Sequence, residues 1–308
     1  MNKKIAVIGA GNVGASVAQY AAEANIADVV MIDIIEGFPQ GKALDLTQAG
    51  PVRGYNGMIT GSNHYKDIKG ADIVIMTAGM PRKPGMSRED LLSINADIVA
   101  TAAKNIKKYA PKAFVIVVSN PLDIMTYHMW KVTGFPKNRV LGQAGVLDST
   151  RFRAFIAMEL NVAMRDVHAM VLGGHGDTMV PLPRYTTVSG IPISEFIDAK
   201  RIKEIVERTR FGGGEIVKLL KKGSAYYAPA ASTMEMVYSI LNDEKRVLPC
   251  SCYMDGQYGL KNIYIGTPAI LGGKGVEKII ELKLSKKDLN DLAKSAKKYT
   301  GVLKEIGY

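Results

Sequence analysis

Lys4-Ile5-Ala6-Val7-Ile8-Gly9-Ala10-Gly11-Asn12-Val13-Gly14 decides the fold. An unbroken apolar run of strand length leads directly into three glycines spaced G-x-G-x-x-G, and a helix-period segment follows. In such a turn the first glycine permits a tight strand-to-helix reversal. The second lets the backbone approach a pyrophosphate, and the third lets the helix pack on the strand. The anion then lies at a helix N-terminus, where free N–H groups and the positive dipole end favour it. The candidate contacts are Gly9, Gly11, Asn12, Val13 and Gly14. Asp33 falls 19 residues after Gly14, at the end of the next apolar run, Val29–Ile32. A carboxylate there accepts hydrogen bonds from ribose hydroxyls and repels a 2′-phosphate, and Ile34 beside it offers no cation. The pattern therefore predicts NAD rather than NADP.

Working outward, the first half alternates short apolar runs with helical periods. The runs are Ile5–Ile8, Val29–Ile32, Ile73–Met76, Phe114–Val118 and Val140–Leu141; the helices lie near Gly14–Ala24, Arg88–Tyr109 and Leu122–Val132. Near-continuous apolar strands separated by helices indicate a doubly wound parallel sheet. The second half reads as a mixed α+β region. It has helices near Asp148–Leu160, Ala199–Lys222 and Pro229–Leu241, and strands near Val167–Leu172, Arg246–Met254 and Ile263–Ile265. A last helix follows Ser285, a plausible N-cap with Asp288 three residues on. The expected division is a dinucleotide-binding Rossmann domain over residues 1–145 and a substrate-binding catalytic domain over residues 146–308. No Pro/Ser linker separates them, so a tight interface with a ligand cleft is expected.

Composition narrows the function classes. At 308 residues, with 47% apolar and 22% charged side chains, the chain reads as an ordinary globular protein of two-domain length. No apolar run has the roughly 18–20 residues of a membrane span, and the first strand starts too early to leave room for a targeting peptide. A cytoplasmic, membrane-free protein is expected. Cys250 and Cys252 stand outside any metal-type cluster and are expected to stay reduced, and no metal site is expected. The net charge of +11 is spread along the chain, without a basic arm or arginine–aromatic alternation. It reads as a solvated basic surface that helps steer small dianions, not as a nucleic-acid interface.

Four further segments carry chemistry. Thr77–Leu91 follows a parallel strand and holds Arg82 and Arg88 in a Pro/Gly-rich loop suited to a lid. Ser119-Asn120-Pro121-Leu122-Asp123 ends another strand; Asn120 either starts a helix or bonds a ligand. Asp148 and Arg151, three apart on one helix, face one cleft. Gly173-Gly174-His175-Gly176-Asp177 sets an imidazole between glycines, an arrangement that core packing explains poorly. His64, His128 and His168 lack such a setting and read as structural or exposed.

In GAGNVG at Gly9–Gly14, Asp33, AGMPRKPGMSR at Ala78–Arg88, SNPLD at Ser119–Asp123, GVLDSTR at Gly145–Arg151 and GGHGD at Gly173–Asp177, the chain resembles the lactate/malate dehydrogenase superfamily. Within it, GSAYYAPAAS at Gly223–Ser232 and GQYG at Gly256–Gly259 look like the malate dehydrogenases built like lactate dehydrogenase. The resemblance covers essentially the whole chain. It implies that His175 is a proton shuttle, that Asp148 holds the imidazole, and that Arg151 clamps the substrate carboxylate. By the same resemblance Arg88 polarises the carbonyl, and Asn120, with Asn95, contacts the cofactor or substrate. Lactate enzymes typically carry Gln at the position of Arg82 and Thr at that of Ala225. A cation at position 82 suits the second carboxylate of malate and oxaloacetate and is left unpaired by the methyl group of pyruvate. The resemblance also implies a homo-oligomer, tetramer or dimer.

Overall fold

The computed structural model describes residues 3–80 and 87–308. The chain builds β1 (Lys4–Ile8), α1 (Asn12–Glu23), β2 (Asp28–Ile32), α2 (Phe38–Arg53) and β3 (Ile59–Ser62). It then returns through β4 (Ile73–Met76), α3 (Arg88–Tyr109), β5 (Phe114–Val117), α4 (Leu122–Thr133) and β6 (Val140–Gly142). The six strands are parallel, in the order β3-β2-β1-β4-β5-β6. Helices cover both faces, which is why Val7, Met31, Ile75 and Ile116 are all fully buried and no alternation appears in their sequence. Each such side chain contributes roughly 1.5–3 kcal/mol on leaving water. The strand order reverses between β1 and β4, so their carboxyl ends open a crevice.

The sheet does not stop at β6. After α5 (Ala144–Leu160), the chain forms β7 (Val167–His168), β8 (Val171–Gly173), β9 (Met179–Pro181), β10 (Thr187–Val188) and β11 (Ile191–Pro192). Next come α6 (Ala199–Leu220), α7 (Tyr227–Leu241), β12 (Arg246–Asp255), β13 (Lys261–Gly272), β14 (Gly275–Ile279) and α8 (Lys286–Glu305). β12 pairs with β6 at Ser251 and Gly142, and the order continues antiparallel through β13, β8 and β9, with β14 on the free stretch of β13. One core therefore runs from β1 to α8. A second, smaller core gathers Phe152, Ile156, Val167 and Ile205 between α5, α6 and β7.

The fold class is as the sequence predicts, but several elements differ. α2 and β3 are absent from the sequence reading. α5 begins at Ala144 rather than near Asp148, because Val146 and Leu147 bury against the sheet. The single strand expected over Val167–Leu172 is two short strands, and β13 extends well past Ile265. Cys250 and Cys252 are free and buried in β12, and burial pushes the Cys252 thiol up to about 12. Ser285 caps α8 by accepting the Asp288 N–H at 3.1 Å. No helix among the described residues is long and apolar enough to cross a membrane.

Candidate active site

The glycine turn at the carboxyl end of β1 is built by close contact. Gly9 has φ +99°, and a Cβ there would meet the Ala78 backbone nitrogen at 2.7 Å; a Cβ on Gly14 would meet the Gly9 carbonyl oxygen at 1.9 Å. Only hydrogen fits at either place. Gly11 differs, since a Cβ there would meet nothing within 4 Å. Its exposed backbone caps α1, with Asn12 and Val13 in the first turn. The loop thus presents open space before a helix N-terminus, which suits a pyrophosphate. Asp33 lies at the end of β2. One carboxylate oxygen accepts the Ala10 N–H at 2.8 Å and the other the Ile35 N–H at 3.1 Å. Each oxygen retains a lone pair, and Ile34 beside it is 90% exposed.

Across the crevice, a cavity of about 440 Å³ brings together His175, Arg151, Asn120 and Asn95 with the Val13 end of the glycine turn. The side chain of His175 follows β8, on a turn in which Gly173 and Gly176 both have positive φ. Its Nδ1 lies 3.0 Å from Oδ2 of Asp148, which α5 carries and which is 2% exposed. A carboxylate only accepts, so Nδ1 carries the hydrogen and Nε2 is left as the accepting nitrogen. Burial alone would lower the His175 pKa. The Asp148 carboxylate outweighs burial and raises it above the ordinary value, with Arg151 opposing and Asp123 adding to the rise.

Arg151 sits one turn beyond Asp148 on the same face of α5. Its only hydrogen bond among the described residues is a long one, 3.5 Å, to Asp148, and its buried Nε has no partner there. Burial holds its pKa below the usual guanidinium value. A buried cation with most of its five donors unspent fits an incoming carboxylate.

Asn120 is exposed at the end of the β5 loop and lines the cavity. Asn95 is placed differently. Its amide accepts the Met80 N–H at 2.7 Å and donates to the carbonyls of Met80 and Asn120. Both its hydrogens are thus spent on holding the two loops together. Arg82 lies outside the described residues. Arg88 opens α3, and its side chain is likewise outside the description. His64 and His168 are exposed, and His128, held by Ala96 and Tyr308, does not line the cavity.

Among the cavity residues that escaped the sequence reading are Gln143, Arg210 and Gly213. A Cβ on Gly213 would come 3.4 Å from the Arg151 guanidinium. Gly212-Gly213-Gly214 inside α6 was the available signal, since each glycine costs a helix about 1 kcal/mol and so marks a close approach.

The family described as lactate/malate dehydrogenase, NAD binding domain matches residues 3–142, and its alpha/beta C-terminal domain matches residues 145–306. The chain belongs to the lactate/malate dehydrogenase family. A malate dehydrogenase of Roseiflexus sp. (strain RS-1) is 57% identical over 296 residues, 96% of either chain. The malate dehydrogenase structure from Cryptosporidium parvum superposes with TM-score 0.96 at 46% identity, covering 99% of each chain. A lactate dehydrogenase from the same organism, complexed with lactic acid and NAD, superposes equally well, with TM-score 0.96 at 45% identity over 100% of this chain and 99% of that one. Backbone shape in this family therefore does not separate the two substrates; side chains must.

Proposed function

We propose that the chain is an NAD-dependent malate dehydrogenase, oxidising (S)-malate to oxaloacetate reversibly. The observation that carries this reading is His175, paired with Asp148 at 3.0 Å, sharing one cavity with Arg151, whose buried Nε has no partner among the described residues. His175 takes the hydroxyl proton on Nε2 during oxidation and returns it during reduction. Asp148 fixes the tautomer and stabilises the imidazolium. Arg151 binds the carboxylate next to the reacting carbon, and Arg88 polarises the carbonyl. Arg82 reads the second carboxylate, and the malate dehydrogenases among the relatives support that substrate.

Gly9, Gly11, Asn12, Val13 and Gly14 hold the pyrophosphate of NAD and Asp33 its ribose. Asn120 lies at the nicotinamide end, with Asn95 positioning it. NAD supplies the hydride acceptor; the protein supplies orientation and charge. The boundary between cofactor-binding and catalytic halves falls at residue 145, in the first turn of α5. A cytoplasmic homo-oligomer, dimer or tetramer, acting in the tricarboxylic acid cycle completes the reading.

Steady-state rates for four pairs, oxaloacetate or pyruvate with NADH or NADPH, test it. Oxaloacetate with NADH should exceed the other three by at least about tenfold in kcat/KM. Preference for pyruvate would make it a lactate dehydrogenase. No turnover with either keto acid would leave a silent NAD-binding module.

A further inference from the structure

The turn that carries His175 is held by three hydrogen bonds from two distant helices. Its own N–H donates to Oδ2 of Asp123 in α4 at 2.8 Å. Its carbonyl accepts the Tyr299 hydroxyl of α8 at 2.7 Å, and the neighbouring Gly174 N–H donates to Ser295 Oγ at 2.9 Å. The other oxygen of Asp123 accepts the Ser251 hydroxyl of β12 at 2.6 Å. Asp123 is 1% exposed. A buried charge costs stability unless something compensates it. Here a neutral amide would serve both partners, since an asparagine oxygen accepts the His175 N–H and its NH2 donates to Ser251. Anchoring the turn therefore does not account for a carboxylate.

We propose that Asp123 is a positioning residue for proton transfer. It fixes the His175 backbone and, as a second buried anion near the imidazole, favours the imidazolium. This rests on the reading of His175 as the proton shuttle. Among the described residues, the charged and titratable groups around the imidazole are Asp148 and Arg151 from α5, Asp123 from α4, Tyr299 from α8 and Arg210 from α6. Asp177, on the turn itself, is paired with Lys298 at 2.9 Å. Burial lifts the Asp123 carboxyl to about 6, while the Ser251 hydroxyl and His175 N–H favour its charged form. It is thus largely ionised at neutral pH and titrates together with the imidazole.

Asp123→Asn keeps both hydrogen bonds and removes the charge. An imidazolium without its second anion loses its proton more readily, so the His175 midpoint falls. Malate oxidation requires neutral His175, so its kcat/KM limb should move about 0.5–1 pH unit lower. The His175 imidazole 15N titration should move equally, and NADH affinity should not change. Ser251→Ala, which takes one donor from Asp123 and raises its proton affinity, should move both midpoints in the same direction by less; it serves if Asp123→Asn fails to fold. Midpoints that stay at the parent value in the folded variants overturn the proposal. A shifted 15N midpoint with an unmoved kinetic limb upholds the coupling of Asp123 to His175 and overturns the shuttle reading instead.

Discussion

Under the proposed function, two arginines six residues apart have separable tasks, and substitution distinguishes them. Arg82→Gln removes the cation proposed to read the second carboxylate. Its kcat/KM for oxaloacetate should fall by roughly 10²–10⁴, since a desolvated charged contact is worth about 2–5 kcal/mol. Turnover of pyruvate should hold or rise, because a methyl group no longer faces an unpaired charge. Arg88→Gln should slow both substrates alike, because both have the carbonyl it is proposed to polarise. Stopped-flow NADH oxidation on the parent and the two variants reads the difference; equal losses for both substrates in Arg82→Gln would remove the reason for choosing malate over lactate. At this scale the sequence was most legible where chemistry restricts residue type. Asp148, Arg151 and His175 stand in motifs that no packing argument needs, and the fold brings Arg151 and His175 into one cavity with Asp148 bonded to the imidazole. Asp123 was less legible: in SNPLD it reads as a residue of a helix's first turn, and its bond to a backbone 52 positions away leaves no local trace.

At the scale of elements, the turn between β1 and α1 separates two uses of glycine. Gly14→Ala forces a methyl group into the Gly9 carbonyl oxygen, so it should cost about 1–3 kcal/mol of stability as well as NADH affinity. Gly11→Ala enters open space with φ −66°, so its melting temperature should stay within about 1–2 °C of the parent. Its NADH affinity should nonetheless fall about tenfold or more, because the methyl group occupies the approach of the pyrophosphate. Calorimetry and fluorescence titration check both; unchanged affinity in Gly11→Ala would remove the pyrophosphate from that turn. The elements that escaped the sequence show where periodicity fails. α2 holds Pro39, Gly41, Gly50 and Pro51, all poor helix formers, yet Pro39 lies in the first turn, where no N–H bond is needed, and Pro51 in the last. Leu44 and Val52 on it are exposed, so no apolar stripe marks its inner face. β3 has four residues including Gly61, whose missing side chain admits the Pro39 carbonyl of α2. Each element is shaped by the other, and neither is visible alone.

For the whole molecule, charge and connectivity matter most. A net charge of +11 attracts oxaloacetate over distances comparable to the Debye length, about 10 Å at 0.1 M salt. Its kcat/KM should therefore fall several-fold between about 20 and 200 mM sodium chloride, with pyruvate, carrying one charge, affected less. Equal salt slopes for the two would show that the basic surface is not felt at the site. The sheet that crosses from β6 to β12 was not foreseen, because a pairing of Gly142 with Ser251 joins segments with no shared motif. The staples on the His175 turn have a consequence in time. The glycine turn and Asp33 come from β1, α1 and β2, which are contiguous in the chain. The proton-transfer geometry waits for a tyrosine 124 residues beyond the histidine. In a refolding chain, turnover should therefore not return before α8 has docked.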